Sequence, residues 1–134
     1  MTAPSAIRSR VRIALAVAWF VLAVTGLVGT WAFNIAFIAD PQGIGYLEGW
    51  FANAASSSAA VDVIVVAVAA CLFMLAEGAR LGWARWVWVL VPLSFAVAIA
   101  FTLPLFLGLR ELALRRSAAP ADRRSRADTD GHAG

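Results

Sequence analysis

Two carboxylates bracket the apolar run AVDVIVVAVAACLFMLAEGARLG, residues 60–82: Asp62 near its start and Glu77 near its end. Acid–base chemistry by a carboxylate pair requires the two groups within about 10 Å of each other. On a helix, fifteen residues separate Asp62 from Glu77 by roughly 22 Å, with about 60° between them in rotation. They share a broad face but cannot act on one bond. A coupling carboxylate of a transporter sits near the bilayer midplane, yet positions 63–76 hold no ionisable side chain except Cys71. That single cysteine has no intramolecular disulfide partner and reads as a small core thiol. The single histidine, His132, lies in a polar tail, so His and Cys cannot build a metal site, and no cofactor is expected. Catalysis, if present, would fall to Asp62 acting as an acid beside Asn34 and Asn53.

The elements that would position these groups are membrane spans. With 62% hydrophobic and 14% charged residues and a mean hydropathy of +0.81, the chain of 134 residues departs far from a soluble domain. Charges are absent from 13–39, 63–76 and 86–109. The first and last intervals exceed the roughly 20 helical residues that cross a hydrocarbon layer of about 30 Å. The expected class is an all-α polytopic membrane protein with spans at about 11–33, 58–79 and 86–109 in a membrane domain 1–114. The first span begins after Arg8, Arg10 and Arg12 like a signal peptide, but its apolar run is too long, and it reads as a retained span. The connector 39–58, DPQGIGYLEGWFANAASSSA, is rich in glycine and serine and carries Tyr46, Trp50 and Phe51, which predicts an interfacial segment. The tail 115–134 is polar, without apolar periodicity, and is expected to be disordered.

Eleven arginines and no lysine give a net charge of +3. The arginines flank spans or lie in the tail, a distribution for headgroups rather than nucleic acid. Three spans put the chain ends on opposite sides, with five arginines (8, 10, 12, 80, 85) facing six (110, 115, 116, 123, 124, 126), so the positive-inside count does not decide orientation. N-inside is favoured because the first span often dominates. On this topology Asp62 shares one interface with Asn34, Arg110 and Glu111, and an Asp62–Arg110 pair is expected. Glu77 shares the other with Arg12, Arg80 and Arg85, and the three-residue spacing allows a Glu77–Arg80 pair. Pro104 cannot donate to the Ala100 carbonyl, which predicts a kink in the third span.

The stretches WFANAASSSAAVDVIVVAVAACLFMLAEGARLG and FTLPLFLGLRE resemble the domain of unknown function 2834 family of small bacterial integral membrane proteins, over about residues 31–113. Matching positions are Asn53, Asp62, Glu77, Gly78, Arg80, Leu81, Gly82, Pro104, Leu105, Phe106, Leu107, Arg110 and Glu111. Gly108 departs from an implied aromatic residue and Ala54 from an implied proline. The resemblance implies a multi-pass protein of the bacterial inner membrane and carries no activity. Two classes of function follow. One is a non-enzymatic accessory subunit, homo-oligomer, or binder of lipid or a membrane partner. The other is a membrane-embedded enzyme that acts on an isoprenoid- or lipid-like substrate through Asp62. The first is favoured.

Overall fold

The computed structural model describes the backbone of residues 3–40 and 43–131 and the side chains of 7–40 and 43–117; Pro41 and His132 lie outside the described residues. Among these residues the structure is all-α: α1 Ala3–Ala39, α2 Tyr46–Trp50, α3 Ala54–Arg80, α4 Ala84–Ala96 and α5 Ile99–Gly131. The part of α1 from Ile7 to Ala39 and the whole of α3 reach mean hydropathies of 2.2 and 2.6 in their most apolar windows, of which only 11% and 28% is buried. Both are long and apolar enough to cross a membrane, and most of the side chains in these windows are not buried. Val21, Val28, Phe33 and Ile38 on α1 and Val61, Val65 and Leu72 on α3 are all exposed. Surface of this kind has no favourable solvent in water.

The starts and stops of α3 follow from local chemistry. Asn53, in an extended conformation, accepts hydrogen bonds on its side-chain oxygen from the Ala55 and Ser56 amides at 2.9 and 3.0 Å. Ser56 Oγ in turn accepts from the Asn53 amide at 3.1 Å. This reciprocal cap satisfies amides that a first turn leaves without partners. At the other end Gly82 adopts φ +72°, Trp83 N–H donates to the Gly78 carbonyl at 2.7 Å, and Gly82 N–H donates to Ala79 at 3.2 Å. The paired bonds form a Schellman stop, which needs a left-handed residue where glycine stands. The turn sends α4 back along α3. Gly78 and the fully buried Val87 touch so closely that a methyl on Gly78 would collide with Val87.

The expectation of one continuous third span over 86–109 is corrected. The helix stops at Ala96, Val97 and Ala98 are non-helical, and α5 begins at Ile99. Ser94 Oγ and Thr102 Oγ1 lie 2.7 Å apart across this break. On an uninterrupted helix eight residues rise about 12 Å, so the chain bends sharply at Val97–Ala98. Pro92 inside α4 and Pro104 inside α5 each remove one backbone donor on either side of the bend. The kink expected at Pro104 is therefore displaced six residues upstream. The backbone of α5 also continues to Gly131, through the segment from 115 expected to be disordered. Alanine and arginine are strong helix formers, a local preference that polar composition does not weigh.

The chain divides into two compact units, Leu22–Leu103 and Met1–Val21 with Pro104–Gly134. In the first, Gly26 of α1 lies against the backbone of Ala100, with no room for a side chain between them. In the second, the start of α1 runs antiparallel to α5. Phe20 faces Gly108, Arg12 meets Glu111, and Ser9 meets Arg115.

Candidate functional site

Glu111 is a well-covered acid of the second unit. Its Oε2 lies 3.5 Å from Arg12 Nη1 and its Oε1 accepts from Arg110 Nη1 at 3.2 Å, with the carboxylate side chain 13% exposed. Arg115 Nε donates to Ser9 Oγ at 3.2 Å. The sequence reading puts Arg12 and Glu111 at opposite interfaces, and this is corrected by their contact. The physical reason is the bend at Val97–Ala98, which a hydropathy profile does not register. Arg8, Arg10 and Arg12 consequently gather at the same end of this unit as Arg110, Arg115 and Arg116. Phe106 is fully buried, and the Phe20 ring packs 3.0 Å from where a Cβ on Gly108 would stand. The aromatic residue that the resemblance implies at 108 is thus matched here by a ring from α1.

In the first unit, Glu77 is 7% exposed and accepts from Arg80 Nη1 at 3.0 Å. The Arg80 side chain itself is 80% exposed, so the pair ties a covered acid to a cation at the edge. Asn53 serves as the α3 cap. Ala54, where the resemblance implies proline, is the first helical residue, the position at which a missing N–H costs nothing. Asp62 is exposed on α3 and has no ion-pair partner among the described residues; Arg110 is paired with its neighbour Glu111. Asn34 is engaged elsewhere, by the Tyr46 hydroxyl, which donates to Asn34 Oδ1 at 2.6 Å.

That bond marks a feature absent from the sequence reading. Where α1 ends and α2 begins, a groove of about 640 Å³ is lined by Phe33, Asn34, Phe37, Asp40, Tyr46 and Trp50, among others. The Phe37 and Tyr46 rings meet edge to face at 5.4 Å, and Tyr46 lies 6.0 Å from Trp50. Gly43, at φ +76°, turns the chain so that α2 folds back under α1. The sequence signal was the cluster of Tyr46, Trp50 and Phe51, read only as headgroup-facing aromatics. Ser94 and Thr102 stand on either side of the bend at Val97–Ala98. Both are buried, and they donate hydrogen bonds to the Leu90 and Ala98 carbonyls, at 2.8 and 3.3 Å, as well as meeting each other. No group of three or more His, Cys, Asp or Glu able to hold a metal is found among the described residues.

No curated protein and no solved structure matches this chain. Residues 18–112 match the family described as Protein of unknown function DUF2834. The match covers every motif position accounted for above, from the Asn53 cap to the Glu111 ion pair, and the chain belongs to this family.

Proposed function

We propose that the chain is a small multi-pass protein of the bacterial inner membrane, without catalytic activity of its own, that binds lipid or a membrane partner. The observation that carries this reading is how the motif residues are employed. Asn53 caps α3, Gly78 and Gly82 shape its stop, Glu77 holds Arg80, and Glu111 holds Arg12 and Arg110. These are structural duties. Asp62, the remaining acid of the motifs, stands exposed on α3 and does not line the groove at Asn34. An enzyme of apolar substrates needs its acid in a cavity, so the exposed Asp62 supports the non-enzymatic reading.

The charge distribution supports a definite sidedness. With α1 and α3 each crossing once, α3 returns the chain to the side of its N-terminus. At 13 residues α4 extends about 20 Å, short of the ~30 Å hydrocarbon layer. Reversal at Val97–Ala98 then brings α5 out on the side from which α4 entered. All eleven arginines fall on that side, while the far side holds only Asp40, Glu48 and Asp62. Counted this way, the arginines support an arrangement with both ends in the cytoplasm.

Single cysteines in a Cys71→Ala background test it. Ser9→Cys and Ser117→Cys should resist a membrane-impermeant maleimide in intact cells and react after lysis, while Ala52→Cys should react in intact cells. Opposite accessibility of positions 9 and 117 would refute the arrangement. For function, mild-detergent purification should retain a stoichiometric lipid or protein. Turnover of an apolar substrate that Asp62→Asn abolishes would overturn the non-enzymatic reading.

A further inference from the structure

We propose that the groove at the end of α1 binds an ammonium group carried on an apolar tail. Three features of the groove point to this chemistry. Phe37, Tyr46 and Trp50 present aromatic rings around it, and a cation is drawn to ring faces within about 6 Å. Tyr46 is held by its hydrogen bond to Asn34, so its ring is fixed before any ligand arrives. Asp40 supplies a formal negative charge directly after the C-terminus of α1, at the negative end of the helix dipole. The last turn of α1 has no basic residue, and among the described residues no basic side chain lines the groove.

The ligand's tail follows from what adjoins the groove. Phe33 on its wall is 80% exposed, so apolar surface of α1 adjoins the groove. An anionic amphiphile would meet Asp40 and the carbonyl end of a helix, and a neutral sugar head would lose the cation–ring attraction. The tail component rests on the membrane reading of α1, but the head component does not. A lipid amine and a free cationic amphiphile share this chemistry.

Calorimetric titration of the purified full chain in maltoside micelles decides the matter. Four probes are used: dodecyltrimethylammonium, tetramethylammonium, short-chain phosphatidylethanolamine and dodecyl sulfate. Dodecyltrimethylammonium should bind saturably, one per chain, and at least ten times more tightly than tetramethylammonium. Dodecyl sulfate should not saturate. Binding of phosphatidylethanolamine at the same stoichiometry identifies a lipid headgroup as the source, and its failure to bind identifies a free amphiphile. Asp40→Asn and Trp50→Ala should each weaken dodecyltrimethylammonium at least fivefold. Glu48→Gln removes an equal charge outside the groove and should leave binding unchanged. Equal weakening by Glu48→Gln and Asp40→Asn, or saturable dodecyl sulfate, would overturn the proposal. If Trp50→Ala does not accumulate, Asp40→Asn against Glu48→Gln decides alone. Because the titration is done in micelles, failure of the topology under maleimide labelling leaves this result standing, and the converse also holds.

Discussion

Gly26→Ala tests the closest helix contact of the first unit. A methyl at this position would lie 2.7 Å from the Ala100 carbonyl carbon and 2.9 Å from its Cβ, and nearer still to the carbonyl oxygen. The obstacle is backbone, which cannot rotate aside as a side chain tip can. Overpacking of this kind costs about 1–3 kcal/mol, and a backbone obstacle belongs in the upper half of that range. Replacing glycine by alanine inside a helix returns roughly 0.8–1.0 kcal/mol. The net expectation is a loss of about 1–2 kcal/mol. Gly29, one turn further along the same helix, supplies the control, because nothing lies within 4 Å of its added Cβ. Gly29→Ala should gain up to about 1 kcal/mol from propensity alone. Unfolding in mixed micelles, with dodecyl sulfate titrated into maltoside and helix content followed by circular dichroism, measures both. The difference between the two variants isolates the close approach, independent of propensity in micelles. If Gly26→Ala is as stable as Gly29→Ala, α1 does not press against Ala100 and the packing argument fails.

Gly78→Ala should also destabilise by about 1–3 kcal/mol, because its methyl meets the buried Val87. Combined with Val87→Ala it should lose less than the sum, by at least ~1 kcal/mol in a double-mutant cycle. Ser94→Ala and Thr102→Val should each cost about 1 kcal/mol, and the pair less than twice that in the same unfolding assay. The contact between the two hydroxyls is lost in either single variant but only once in the pair, which makes the pair sub-additive. Asn53→Ala should cost about 0.5–2 kcal/mol by removing the α3 cap. Ala54→Pro should gain about 0.4–1 kcal/mol, since Asn53 is already extended, as a residue before proline must be. A loss on Ala54→Pro would show that the first turn of α3 is not free to accept it.

The apolar intervals around α1 and α3 were readable because charge-free length and helix length are set by the same requirement. The stop of α3 was readable too, in Glu77, Arg80 and Gly82, although the residue pattern alone does not say that Gly82 takes a positive φ. The bend at Val97–Ala98 was not. Hydropathy over 86–109 is nearly uniform, and it reports what surrounds a segment, not which way the segment runs. Pro104 drew the expected kink, while the residues that hold the bend are the hydroxyls of Ser94 and Thr102. A straight helix over 86–109 would hold Arg12 and Glu111 at opposite ends, whereas the bend lets them meet. The groove was invisible for a different reason. It depends on Asn34 and Tyr46, twelve residues apart, meeting through the Gly43 turn.

A broken helix among apolar segments must account for the backbone groups it frees. Pro92 and Pro104 leave the carbonyls of Trp88 and Ala100 without their usual helical donors. Bare polar backbone facing lipid costs several kcal/mol per group, so such breaks persist only where protein covers them. Of these two carbonyls, the cover of Ala100 can be named, while the hydroxyls at the bend bond other carbonyls. Ser94 reaches back to the Leu90 carbonyl, Thr102 reaches back to Ala98, and both hydroxyls are buried against each other. Over the Ala100 carbonyl sits Gly26, where only a hydrogen fits and a weak Cα–H donor faces the oxygen. The bend is therefore a fixed corner, not a hinge. Opening it would strand two hydroxyls and a carbonyl together, and that shared cost is why Gly26 and the Ser94–Thr102 pair should respond to mutation as one unit.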